Sequence, residues 1–145
     1  MRIHRRILLF WEVIKLDIRV RVSETDMLGH INNTSYFIYM EETRIAFLED
    51  LGIDIERESF AFMLASAKCD FVSQGYFGQI LDVATEVGRI GNKSITLVSI
   101  MKDKESGRLI AKGEAVLVYF DTVKQATMPI PESFKRKLAD YAQSA

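Results

Sequence analysis

The chain is poor in the residues that build cross-links and metal centres: in 145 residues it has one cysteine, two histidines, two prolines and one tryptophan. Cys69 has no second cysteine to pair with, so no internal disulfide forms, and a reducing, cytoplasmic setting is expected. Two histidines and one cysteine leave little for a metal site. Asp26 and His30 have the spacing of a helical ligand pair, but Gly29 between them points to a loop, and no metal is expected. Charge of either sign is also lacking in excess. Nineteen Lys and Arg face twenty Asp and Glu, a net charge of -1, so there is no basic footprint for nucleic acid. No apolar run approaches the roughly 20 residues that span a bilayer, and no membrane partner is expected. The apolar run at residues 7–11 is cut by Glu12 and lacks the small-residue cleavage site of a signal peptide, so residues 1–13 read as an N-terminal extension or the first part of a strand. With no repeat, low-complexity tract or linker, residues 1–145 read as one domain, long enough to bury a core.

What is present is patterned. Residues 14–22 alternate, with Ile14, Leu16, Ile18, Val20 and Val22 against Lys15, Asp17, Arg19 and Arg21, which is a strand with one wet face. A helix follows over residues 35–51, stopped by Gly52. At 100° per residue Tyr36, Phe37, Met40, Phe47, Leu48 and Leu51 share an arc, while Ile38, Tyr39, Ile45 and Ala46 fall outside it. The apolar surface thus nearly surrounds the helix, which is expected to be wrapped. Arg44 falls within the main arc and requires a carboxylate or carbonyl partner there. Strand patterns then occupy residues 60–72, 80–90, 94–103 and 109–120, with turns at Gly91-Asn92 and Glu105-Ser106-Gly107. Ala111, Gly113 and Ala115 are small enough to let something large approach the last strand, and residues 131–143 read as a short amphipathic helix begun by proline. One strand, one long helix and a strand meander give an α+β chain with an antiparallel sheet. A sheet curled around the central helix satisfies its apolar sides.

Between the first strand and the helix lies Asp26-x-x-Gly29-His30-x-Asn32-Asn33-x-x-Tyr36. Gly29 opens backbone angles closed to other residues, and Asn33 or Thr34 can cap the helix. A loop that ends on a helix N-terminus presents unpaired N–H groups and partial positive charge, suited to an anion or a developing oxyanion. Asp26 places a carboxylate just upstream.

These residues, with Glu42 and Arg44 in the helix, Gly91-Asn92-Lys93-Ser94 and Met128-Pro129-Ile130-Pro131, resemble the 4-hydroxybenzoyl-CoA thioesterase family of hotdog-fold acyl-CoA thioesterases. The likeness runs from Lys15 onward. It implies the hotdog fold and hydrolysis of an acyl-CoA thioester to a carboxylic acid and free CoA. It also implies Asp26 as nucleophile or general base, an oxyanion donor in the backbone N–H near Asn33, and His30 orienting either the thioester or the loop. Gly29, Asn32 and Tyr36 would line the substrate. The turn carrying Lys93 and Ser94, with Arg89 nearby, would reach the partner subunit's active site and the CoA phosphates. CoA belongs to the substrate, and no separate cofactor is implied. The edges of a single curled sheet imply a homodimer or homotetramer.

Two departures bear on this. Leu28 stands where acyl-carrier-protein thioesterases have an asparagine two residues before the histidine, and Glu41 or Glu42 could mimic the helix glutamate of a second hotdog group. The complete Asp26 loop favours Asp26. A hotdog dehydratase and a non-catalytic acyl-CoA or acyl-carrier-protein binding module are the alternatives. The acyl group is unread, because Phe60, Phe62, Met63 and the helix aromatics suit an apolar or aryl group and a core equally well.

Overall fold

The computed structural model describes residues 4–7, 14–52 and 61–143. The strands are β1 (His4–Ile7), β2 (Ile14–Arg19), β3 (Phe62–Phe71), β4 (Ile80–Ile90), β5 (Ser94–Asp103), β6 (Leu109–Asp121) and β7 (Ala126–Thr127), and the helices are α1 (Asn33–Asp50) and α2 (Glu132–Gln143). The sheet order is β1-β2-β4-β5-β6-β3, with β7 on β6, and every pairing is antiparallel. Consecutive strands joined by tight turns make the meander β4-β5-β6, while the long helix separates β2 from β3 and sends β3 to the far edge. No helix among the described residues is long and apolar enough to cross a membrane.

Alternation in the strands lays one apolar face against α1. Towards the start of the helix, Leu16, Ile18, Leu81, Val83, Met101 and Ile110 enclose Tyr36, Tyr39 and Met40. Towards its end, Ile14, Val87, Ile95, Leu97 and Leu117 enclose Phe47, Leu48 and Leu51, and Leu138 and Tyr141 of α2 cover that end. Helix and sheet approach closely at Gly113, where a Cβ atom would lie 2.5 Å from Met40 Sδ. The small residues of β6 thus admit the helix itself. Gly52, at φ +94°, ends α1, and Lys137 Nζ donates to the Leu51 carbonyl at 3.0 Å. A cation at the negative end of the helix dipole joins α2 to α1.

Two sequence expectations need correction. The first strand ends at Arg19 rather than residue 22, because the chain bends into a single 3-10 turn, Val22–Glu24, which leaves Val22 72% exposed. The helix is not covered on every side: Ile38 is 48% exposed and Phe37 is also open. Arg44 meets the carboxylate expected of it: Glu41 Oε2 stands 3.9 Å from Nη2, at the outer limit of an ion pair. Phe60 and the rest of residues 53–60 lie outside the described residues, as do residues 8–13 of the N-terminal extension.

Candidate active site

The 25–31 segment is a closed hairpin. Thr25 and Ile31 form a β-bridge, Asp26 N–H donates to the His30 carbonyl at 2.8 Å, and Gly29, at φ +78°, returns its N–H to the Asp26 carbonyl at 3.2 Å. Positive φ is open to glycine at no steric cost, which is why the turn needs it there. The Asp26 side chain is divided between two tasks. Its Oδ1 accepts from the N–H groups of Leu28 at 2.8 Å and His30 at 3.1 Å, while Oδ2 has no donor among the described residues. One oxygen builds the loop and the other faces outward on an exposed residue.

The helix start sits directly after this hairpin. Asn32, not Asn33 or Thr34, is the N-cap: its Oδ1 accepts from Thr34 N–H at 3.1 Å, and its carbonyl takes Ser35 N–H at 2.9 Å. The N–H of Asn33 has no acceptor among the described residues. An 18-residue helix therefore presents one unclaimed donor at its positive end, a few residues from the free oxygen of Asp26. Asn33 itself is exposed.

His30 is half-buried, with its ring edge-on to Tyr76 at 5.0 Å, and its backbone bridges that residue. Tyr36 is buried, 5.1 Å from the Phe71 ring, and burial raises its hydroxyl pKa while the Gly75 backbone N–H acts the other way. It is built as a wall. The 73–79 loop that supplies Gly75 and Tyr76 escaped the sequence reading; it donates Phe77 N–H to the Gly29 carbonyl at 3.1 Å and accepts Ile31 N–H at Gly75 at 2.9 Å. Its Gly75-Tyr76-Phe77-Gly78 run was the available signal.

Glu24 is the second residue missed. It is 5% exposed, yet its carboxylate accepts from Arg21 N at 2.9 Å, Arg21 Nε at 3.0 Å and Tyr39 Oη at 3.1 Å. Its carbonyl takes Asn32 N–H and the Ser35 hydroxyl. Burial would raise its pKa, but the hydrogen bonds and charge of Arg21 together with the Tyr39 hydroxyl outweigh that and hold it below the ordinary value of 4.5. Glu24 thus ties the residues before Asp26 to the first two turns of α1.

Asp26, Gly29, His30, Asn32, Asn33 and Tyr36 are brought together. Arg89, Lys93 and Ser94 are not. The loop joins the start of β4, where Val20 N–H meets the Gln79 carbonyl, whereas the Gly91–Ser94 turn closes the other end of that 11-residue strand. At about 3.3 Å per residue the two lie roughly 30 Å apart within one chain. Among the described residues no three His, Cys, Asp or Glu side chains gather as metal ligands.

Comparison with known proteins agrees with this architecture. A protein described as a predicted thioesterase, from Bacillus stearothermophilus, superposes with a TM-score of 0.81 at 32% identity, covering 90% of this chain and 96% of its own. A thioesterase of Thermus thermophilus, solved with coenzyme A and zinc, gives 0.79 at 26% identity over 88% and 98%. An acyl-CoA thioesterase of Helicobacter pylori, YbgC, is 28% identical over 79 residues, which are 54% of this chain and 59% of that protein. The model of the thioesterase-like superfamily matches residues 20–138. On that match and this fold, the chain belongs to the thioesterase-like superfamily, as an enzyme of the hotdog fold.

Proposed function

We propose that this enzyme is an acyl-CoA thioesterase of the 4-hydroxybenzoyl-CoA thioesterase type, with Asp26 as the reacting carboxylate. The observation that carries the reading is the division of labour at Asp26, with one oxygen held by loop N–H groups and the other unclaimed, in the same loop that leads into the free N–H of Asn33 at the helix start. A thioester carbonyl that accepts from Asn33 N–H gathers negative charge at the positive end of α1, where a donor of this kind is worth about 3 kcal/mol to the transition state. Attack of Asp26 Oδ2 on the carbonyl carbon breaks the C–S bond and releases CoA as thiolate, leaving a mixed anhydride that water hydrolyses. In the general-base form, Asp26 instead takes the proton of the attacking water. His30, seated on Tyr76, orients the loop and the thioester, while Gly29, Asn32 and Tyr36 shape the entry. The coenzyme A held by the Thermus thioesterase supports CoA as the leaving group.

The far turn enters through a second copy of the chain. Among the described residues strand β3 is hydrogen-bonded on one side only, and it carries exposed Met63, Leu64 and Phe71. Two β3 edges paired antiparallel about a two-fold axis would set the Phe62 end of one chain beside the Phe71 end of the other. The Gly91–Ser94 turn, at the Phe62 end through the Ser94–Val118 pairing, would then reach the other copy's Asp26 loop. Arg89, Lys93 and Ser94 there offer charge-assisted hydrogen bonds to CoA phosphates.

Release of free thiol from a panel of acyl-CoAs tests the reaction. Asp26→Asn keeps the oxygen that accepts from Leu28 and His30, so the loop should persist while turnover falls by roughly 10²–10⁴. Full turnover in Asp26→Asn, with loss in Glu41→Gln or Glu42→Gln, would move the chemistry to the helix glutamates. Hydration of an enoyl thioester without thiol release would make the protein a dehydratase, and thioester binding with neither reaction would make it a binding module.

A further inference from the structure

At the later half of α1, the helix and the β3 edge diverge around a cavity of about 490 Å³. Ile45, Leu48, Phe62, Met63, Leu64 and Leu117 give it an apolar wall, and its two charged lining residues are the cation Arg44 and the carboxylate Glu41. The Arg44 side chain is 12% exposed and its guanidinium carries five N–H donors, but among the described residues its sole ionic partner is Glu41 at 3.9 Å, and no hydrogen bond is formed. Glu41 is itself 63% exposed, so it draws the cation only weakly. Burial lowers the Arg44 pKa, with Glu41 offsetting part of the effect. A cation kept in an apolar wall with most of its donors unclaimed calls for an acceptor that arrives from outside.

We propose that this cavity binds the far end of an acyl group that bears a carboxylate, gripped by the Arg44 fork, with its methylene stem against Leu48, Phe62, Leu64 and Leu117. The planar guanidinium matches a carboxylate in a bidentate pair, and the volume falls in the usual range of roughly 300–1,000 Å³ for small-molecule sites. The cavity is lined in part by Phe62, Met63 and Leu64 of β3, the edge that would face the second copy's Asp26 loop, so the inference rests on the thioesterase reading for how its ligand is presented.

A matched pair of thioesters tests it: octanoyl-CoA and the CoA ester of the eight-carbon dicarboxylic acid, suberyl-CoA. The parent enzyme should prefer suberyl-CoA in kcat/KM by roughly ten- to a hundred-fold, the worth of a charge-assisted pair. Arg44→Leu should reverse the preference and Arg44→Lys should weaken it, whereas a purely structural Arg44 would lower both substrates together and leave their ratio unchanged. A second arm needs no turnover: suberate, and not octanoate, should raise the melting temperature of the parent and fail to do so with Arg44→Leu. Suberate binding that depends on Arg44, without cleavage of either ester, would sink the thioesterase reading and leave the cavity's ligand standing. Cleavage of both esters at equal efficiency, or a ratio unmoved by Arg44→Leu, would overturn the inference and spare the reaction. Should Arg44→Leu fail to fold, the parent's preference and its response to suberate decide alone.

Discussion

A buried carboxylate ties the Asp26 loop to the helix. Glu24 joins Arg21, Tyr39, Asn32 and Ser35, so the strand exit and two turns of α1 hold a common position. Its pKa is held below 4.5, and the sign of the consequence follows. A depressed carboxylate contributes stability that is fully present above its unfolded value and is lost as pH falls through the folded one. Glu24→Gln should therefore cost about 1–3 kcal/mol at neutral pH, and the gap from the parent in urea unfolding should narrow as pH drops below 4.5. A gap that stays constant from pH 7 to pH 3 would refute the charged clamp. The Asp26–Gly29 turn was legible as a turn because a short loop carries its own backbone geometry in adjacent letters. Glu24 was not, since its hydroxyl partner Tyr39 lies 15 residues away and only the folded helix brings the two together. Asn32 was passed over as cap for its neighbour because either asparagine fits the pattern, and one residue of helix phase decides.

Elements bounded by turn residues were the readable ones. β4 and β5 span residues 80–90 and 94–103 as the alternation predicts, because Gly91-Asn92 breaks the ladder between them. The helix stop at Gly52 is likewise local. What alternation does not encode is which side of a strand finds a neighbour: β3 repeats apolar and polar residues, yet most of it is exposed because it lies at the edge. The same gap explains the overestimate of the helix's cover, since Phe37 and Ile38 are apolar without being enclosed by their own chain. The contact of Gly113 with Met40 joins element to element. Gly113→Ala would set a Cβ 2.5 Å from Sδ and 2.6 Å from Cε. Calorimetry should show a loss of about 1–3 kcal/mol, and Met40→Ala in the same chain should return part of it, because the two positions share one space. Strict additivity would deny the clash.

At the scale of the molecule, an open β3 edge and an uncovered helix face call for a second copy. Leu64→Lys places a charge on that edge, where Leu64 is 49% exposed. Sedimentation should then show a monomer at micromolar concentration where the parent shows a dimer, and turnover should fall with it. A parent that sediments as a monomer would refute the pairing. Lys93→Ala should raise KM for a full CoA thioester and spare a truncated pantetheine thioester, and equal KM values on the full thioester would free Lys93 of any phosphate role. The Asp26 loop and the Gly91–Ser94 turn stand at opposite ends of β4, and that separation has a genetic consequence. Two crippled chains should rescue one another. When Asp26→Asn and Lys93→Ala proteins are unfolded together and refolded, each mixed pair holds one site with both defects and one with neither. Roughly a quarter of all sites would then be intact, if the subunits assort at random.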